Sequence, residues 1–403
     1  MQTSRITLWL VGLGFLTMFL SSALKSVFQV YFNDLTQSFG RGRADFGFIG
    51  GVFLLVSGLA SPLVGALSDR AGPIRTVMIG SLLGGLAFVL LGWLPRSYWL
   101  FVVLYGLIAA FALAAMTYVP MGILVDRLFE QRKKSFAYAV ITNGTSIGFI
   151  LLSPLWLWLQ PQLSWQQIFE AVGLMFVGPI ALLLWIGSRV PLLEQPVTSK
   201  DDKLAGTWSN VLHDSGFYVL ALGFIGCGAT MAFIDVHLVP LWQDNGSSRA
   251  SMGFSMSLLG TLELISGLVA GWMATRYTHQ RLLAFFYLLR CIAMALLLAH
   301  NSMLTTYIFA AVFGASYLGT VVLTSAICLE RYGVAVKGQV FGMLFMLHQI
   351  GAFASAQLGA YGYDHFHSYQ PAIIALVLLT ALAGIASFSL LSEKRHQSIP
   401  EPV

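Results

Sequence analysis

Charge is the scarcest thing in this sequence. Asp, Glu, Lys and Arg together make up 10% of its 403 residues, whereas soluble domains carry about 25%. A chain so poor in charge cannot clothe a water-facing surface, which excludes a soluble globule. Cysteine is nearly absent as well. Cys227, Cys291 and Cys328 stand alone in apolar runs, without C-x-x-C spacing or any metal-ligand pattern, and read as small core residues. No nucleophile, base and orienting group fall into a catalytic pattern. Gly12 and Gly14 do not make a dinucleotide loop, since no strand precedes them. The expectation is therefore no enzyme, no cofactor and no resident metal.

What the chain has instead is apolar length, with 57% hydrophobic residues. A membrane helix needs about 20 consecutive apolar residues, and the sequence predicts twelve such spans. Six fall near 7–31, 46–67, 76–94, 98–125, 135–158 and 167–188, and six near 216–242, 252–274, 281–299, 303–329, 338–361 and 370–392. The runs are long and continuously apolar, unlike barrel strands of about ten residues with alternating polarity. The fold class is an all-α integral membrane protein. Its longest polar interval, 189–215, separates an N-terminal six-helix bundle (1–188) from a C-terminal one (216–403) with a short tail.

Basic residues orient the spans. Sixteen of the 22 Lys and Arg residues fall on the side of the N-terminus, and four, Arg41, Arg43, Arg96 and Arg249, on the other. The positive-inside rule then puts both termini and the linker in the cytoplasm. The net charge of +5 is a matter of topology and no sign of nucleic-acid binding. The first run resembles a signal peptide, but with eleven spans behind it an uncleaved signal anchor is expected.

Two stretches recur. The loop GALSDRAGPIR (65–75) shares a glycine and two arginines with GWMATRYTHQR (271–281), and KSFAYAVITNGTSIG (134–148) aligns with KGQVFGMLFMLHQIG (337–351). Duplicated halves are frequent in secondary transporters, which hold substrate between them at mid-membrane. The first loop resembles the signature that follows the second helix of the major facilitator superfamily, with Gly65, Leu67, Asp69, Arg70, Gly72 and Arg75 in register and Ile74 replacing a basic residue. The resemblance extends over nearly the whole chain. It implies a twelve-helix fold in two bundles and a cytoplasmic latch in which Gly65 permits close helix approach, Asp69 faces a helix N-terminus, and Arg70 and Arg75 pair with Asp126 or Glu130. The second copy carries Thr275 and Thr278 in place of the acid and the glycine, so it is expected to be weaker.

Within the superfamily, LKSVFQVYF (24–32), VHLVPLWQDNG (236–246) and FGMLFMLHQIG (341–351) resemble monocarboxylate porters and the bacterial oxalate and formate exchangers. The resemblance places that group's first-helix lysine on Lys25. It also exposes a departure. Where those porters carry an acid or amide and, four residues on, a substrate-binding arginine, this chain has Glu263 and Gly267.

The ionisable residues within the spans are Lys25, Asp235, Glu263 and Arg290. Charge at the bilayer centre costs at least about 2.5–3.5 kcal/mol, so each is expected to face a cavity or a partner. Lys25 could instead snorkel outward, and Asp235 could be solvated at a wide mouth. Glu263 lies in the middle of the eighth span, where a carboxyl could exchange a proton at each opening of the cavity. It is the expected proton-coupling site, with Lys25 as charge partner of the substrate; a permanent Lys25–Glu263 ion pair is the alternative. Arg290, on the ninth span, could neutralise a buried acid. Tyr118, Asn143, Ser146, His348 and Gln349 are further candidates for the cavity lining, and Pro120, Pro154 and Pro240 predict helix breaks.

The resulting expectation is a monomeric, proton-coupled transporter of a small organic solute, a carboxylated metabolite, in the inner (plasma) membrane. Its partners are the solute, protons and the lipid bilayer. A proton-driven efflux antiporter and a non-transporting receptor on the same fold are the alternatives.

Overall fold

In lipid every backbone donor must be satisfied within its own element, so long apolar runs have little choice but to be helical. The computed structural model describes residues 2–129, 131–176, 178, 182–183, 186, 211–299 and 302–390. In chain order its helices are α1 (Gln2–Val30), α2 (Phe32–Phe39), α3 (Arg43–Leu59), α4 (Ser61–Ala71), α5 (Pro73–Trp93) and α6 (Tyr98–Phe101). They continue with α7 (Ala110–Met116), α8 (Tyr118–Leu128), α9 (Gln131–Leu159), α10 (Trp165–Met175) and α11 (Ser215–Asp244), and then with α12 (Arg249–Met273), α13 (His279–Leu296), α14 (Met303–Phe366) and α15 (Gln370–Ser389). Among the described residues ten helices are long and apolar enough to cross a membrane, and the bent pair α3–α4 makes an eleventh span. The sixth expected span beyond residue 176 lies largely outside the described residues, as does the linker before Val211.

Three departures from the expected spans have local causes. The second span is not straight: α3 and α4 meet at 44° around Ala60, because Pro62 has no amide hydrogen to continue the ladder. The fourth span winds as a π-helix over Val102–Ala109 and breaks at Thr117, three residues before Pro120. Pro154 and Pro240, however, sit inside α9 and α11 without ending them, contrary to the expected breaks. The tenth and eleventh spans share one helical element, α14, where the sequence suggested a loop. No proline lies between residues 330 and 340 to interrupt its hydrogen bonding.

The bundle has two rims. The near rim carries the 65–75 loop and the start of α9, and the far rim carries the turns after α1, α5, α9 and α11. On the far side of the N-terminal half, Phe28, Tyr105 and Phe53 stack with ring centroids 4.6 Å apart on both faces of Tyr105. Phe101 and Phe169 close against the same tyrosine. Offset aromatic packing of this kind makes a rigid plug, and it lies one turn of α1 beyond Lys25.

Candidate functional site: an ion pair between the halves

The helices of the two halves meet along three seams. At the first, α1 faces α11: Gln29 Nε2 donates to the Ile234 carbonyl at 2.6 Å, and the Asn33 amide donates to Gln243 Oε1 at 2.9 Å. At the second, α3 meets α14, where Gly47 lies against Ala356 and Ala360, and Gln349 Nε2 donates to the Leu54 carbonyl at 2.7 Å. At the third, α9 meets α12, and Ser257 Oγ donates to the Ile150 carbonyl at 2.8 Å.

The far ends of these seams are locked by charge. Arg43 at the start of α3 donates to both carboxylate oxygens of Asp244 at 2.6 and 2.7 Å and to the Tyr369 hydroxyl at 2.9 Å. Its guanidinium lies 3.7 Å from the ring centre of Tyr363. Asp364 in turn accepts from the backbone amides of Arg43 and Ala44 at 2.9 and 2.7 Å, capping α3 from the opposite half. In the sequence Arg41 and Arg43 speak only to topology; the pattern that marks the lock is an arginine and two acids, Asp244 and Asp364, all ending spans at one rim.

At the inner end of the first seam, Lys25 Nζ stands 2.7 Å from Asp235 Oδ2, and 36% of the lysine side chain and 16% of the aspartate side chain remain accessible. An α1 cation is thus paired with an α11 carboxylate beneath the aromatic plug. Glu263 on α12 and Tyr118 on α8 lie within electrostatic reach of this pair. Tyr317 on α14 is also within electrostatic reach of the two acids, and no sequence pattern pointed to it. Glu263 is half-buried, and among the described residues its carboxyl makes no hydrogen bond or ion pair. Tyr118 is 53% exposed, Asn143 is exposed and Ser146 half-buried, on the side of the near rim. Lys25 and Glu263 are therefore near enough to interact electrostatically, but the direct partner of Lys25 is Asp235.

Three candidates sit elsewhere. His348 and Gln349 are 7% exposed and bond each other, Nδ1 to Oε1, at 3.0 Å. They belong to the packing of α14 against α11 and α3. Arg290 is fully buried and donates to the Ser316 and Tyr317 carbonyls at 2.7 and 2.8 Å and to Cys227 Sγ at 3.0 Å. Among the described residues it has no carboxylate partner, so backbone oxygens take the place of the acid expected from the sequence.

At the near rim the signature loop has fewer contacts than expected. A methyl on Gly65 would meet only Val119, at 3.7 Å, so close approach of helices is not what that glycine serves here. Gly72 does have a conformational role: its φ of 94° turns the chain from α4 into α5. Among the described residues Asp69 and Arg70 make no ion pair, Arg75 is exposed but engaged, and Asp126 pairs with Lys134 at 2.9 Å. Glu130 lies outside the described residues. In the second copy Arg276 lies over Trp272, 4.3 Å from its ring centre, and the rim charge pairs instead as His279 with Glu330 at 2.7 Å.

Two bundles joined by charge at one rim, with a partly accessible cation and carboxylate paired between them, are the make-up of a membrane transporter. The pattern of the Major Facilitator Superfamily matches residues 14–241 and 226–402, and the chain belongs to that superfamily. An uncharacterized MFS-type transporter of Bacillus subtilis, YcxA, is 26% identical over 96% of this chain and 95% of its own length. Monocarboxylate transporter 13 of Rattus norvegicus is 25% identical over 94% of this chain and 87% of its own. Among solved structures, a bacterial homolog of the human lysosomal transporter Spinster, inward-facing and unoccupied, superposes with a TM-score of 0.74 at 13% identity, covering 96% of this chain and 98% of that one.

Proposed function

We propose that this transporter moves a small organic solute bearing a carboxylate by proton-coupled alternating access, and that the six-helix units 1–188 and 216–403 are its moving bodies. The observation that carries the reading is the Lys25–Asp235 pair. It spans the two halves at 2.7 Å and keeps 36% of the lysine side chain accessible. A cation held by a removable carboxylate is a ready site for a competing carboxylate. Solute binding to Lys25 would release Asp235, and Glu263, without a hydrogen bond or ion pair among the described residues, would carry the proton that balances the charge. The relatives named as monocarboxylate transporters support the solute class. Binding shifts the balance between open states only through such differential contacts.

Import by symport, a monomeric state, an inner (plasma) membrane location and cytoplasmic termini belong to the same proposal, the last from the basic residues of the near rim. In that orientation the Arg43–Asp244 contact closes the outer rim, which fits a cytoplasm-open state, and in the proposed cycle the 65–75 loop with Asp69, Arg70 and Arg75 closes the near rim in the opposite state. The test is uptake by reconstituted protein from a panel of carboxylates, amines and neutral solutes under an imposed pH gradient. Carboxylate accumulation that collapses with an uncoupler supports the reading. Accumulation driven by counter-moving protons would favour the efflux antiporter, and binding without flux would favour a receptor.

A further inference from the structure

We infer that Cys227, Met231 and His348 form a binding site for a soft monovalent metal ion, copper(I) or silver(I), inside the C-terminal half. Cys227 and Met231 are four residues apart on α11 and so share a face. Their sulfurs lie 3.8 Å apart. His348 reaches them from α14, with Nε2 3.3 Å from Met231 Sδ. Gly228 makes this approach possible, since a methyl there would stand 2.9 Å from His348 Cγ and collide with its carbonyl.

The hydrogen bonds dictate which atoms are free. Gln349 Nε2 donates to the Leu54 carbonyl at 2.7 Å, so its Oε1 is an acceptor. His348 Nδ1, 3.0 Å from that oxygen, must therefore be the donor. In a neutral imidazole this leaves Nε2 without a hydrogen. Its lone pair then points at a thioether sulfur, which has no proton to give either. The two lone pairs meet at 3.3 Å on a ring only 7% exposed, beside the Cys227 thiol that bonds His348, and a soft cation can take the place of that thiol's proton among the three. The donor set is thiol, thioether and imidazole, the combination that favours copper(I) over hard cations. The Nδ1 bond to Gln349 is the outer-shell contact that fixes ring orientation in metal-ligating histidines.

Charge balances at the site. The metal replaces the thiol proton of Cys227, which leaves to water, and the metal thiolate is neutral. Arg290 Nη1 donates to the same sulfur at 3.0 Å, while its own charge is shared with the Ser316 and Tyr317 carbonyls at 2.7 and 2.8 Å. The Thr320 hydroxyl lies 3.3 Å from the sulfur on the other side. Met231 is half-buried, so the cluster is not sealed.

The test is anaerobic titration of the purified protein in detergent with copper(I) in competition with bathocuproine disulfonate, repeated with silver(I). One copper(I) per chain is expected to resist the chelator. Met231→Leu, which keeps volume, and His348→Gln should each weaken binding at least tenfold, and Cys227→Ser should abolish it, whereas Cys291→Ser and Cys328→Ser should leave it unchanged. Thermal melts identify variants that fail to fold, and Met231→Leu decides the matter if Cys227→Ser is among them. No copper(I) held by the wild type, or undiminished binding by a folded Met231→Leu, overturns the inference.

Discussion

Arg43 holds Asp244 across the two halves by two hydrogen bonds of 2.6 and 2.7 Å, with Tyr363 beneath the guanidinium plane. A two-pronged contact of this kind is specific to arginine. In the proposed alternating-access cycle it belongs to one state only, because the halves must part at this rim for the Lys25–Asp235 site to face the other way.

Arg43→Lys should therefore leave folding intact and loosen the far rim. Charged hydrogen bonds contribute about 1.5–3 kcal/mol, so the far-closed population should fall relative to the far-open one by roughly tenfold or more. Spin labels at Gln37 and His365 would report this as a longer-distance component, larger in Arg43→Lys than in the wild type. An unchanged distance distribution would remove the lock from the account.

Gly47 makes the same point through packing. A side-chain methyl there would stand 2.8 Å from the Ala356 carbonyl and strike Ala360 as well. Gly47→Val should disfavour the near-open arrangement and raise the far-open population in the same spin-label measurement, with little effect on secondary structure.

Breaking the central pair one partner at a time should be worse than breaking both. Lys25→Met strands a carboxylate and Asp235→Asn strands an ammonium, each at a cost of about 1–3 kcal/mol in a partly buried site. In the double variant neither charge remains, and thermal stability should recover toward that of the wild type. Solute flux should not recover, since the cation that receives the solute is gone. Melting curves and uptake on the four proteins form a double-mutant cycle.

A pH dependence is expected at the cap of α11. Burial opposes ionisation of Asp214, but hydrogen bonds from Arg331, from the Tyr332 hydroxyl at 2.7 Å and from the Gly216 amide outweigh it and hold the carboxyl below its ordinary value of 3.8. A depressed native value stabilises above the unfolded value and stops doing so as the pH falls through the native one. The Tm difference between wild type and Asp214→Asn should thus be flat above about pH 5 and shrink as the pH drops through 3.8 and below.

Much of the fold could be read from the sequence because lipid leaves few choices. The apolar runs gave the spans, and Gly72 and the arginines of the 65–75 loop gave the superfamily. The bend at Ala60 escaped because it depends on how Pro62 is accommodated locally, and the π-helical stretch over Val102–Ala109 because no residue type in that apolar run marks it. Pro154 and Pro240 show that a proline alone does not settle the matter. At the site, the sequence named Lys25, Asp235 and Glu263 but offered Glu263 as the lysine's ion-pair partner, where the structure has Asp235. That choice depends on the rotation of α11 against α1, and Gln29 bonding to the Ile234 carbonyl helps set it. Arg290 was expected to meet an acid, and backbone carbonyls took that role, a possibility to which side-chain patterns are blind.

The central claim is that Glu263 couples solute movement to the proton gradient. Its most direct test compares wild type with Glu263→Gln in proteoliposomes, measuring solute exchange at equal concentrations and accumulation under an imposed pH gradient. The account predicts that Glu263→Gln still exchanges solute across the bilayer but no longer concentrates it. Accumulation by Glu263→Gln equal to that of the wild type would contradict the account.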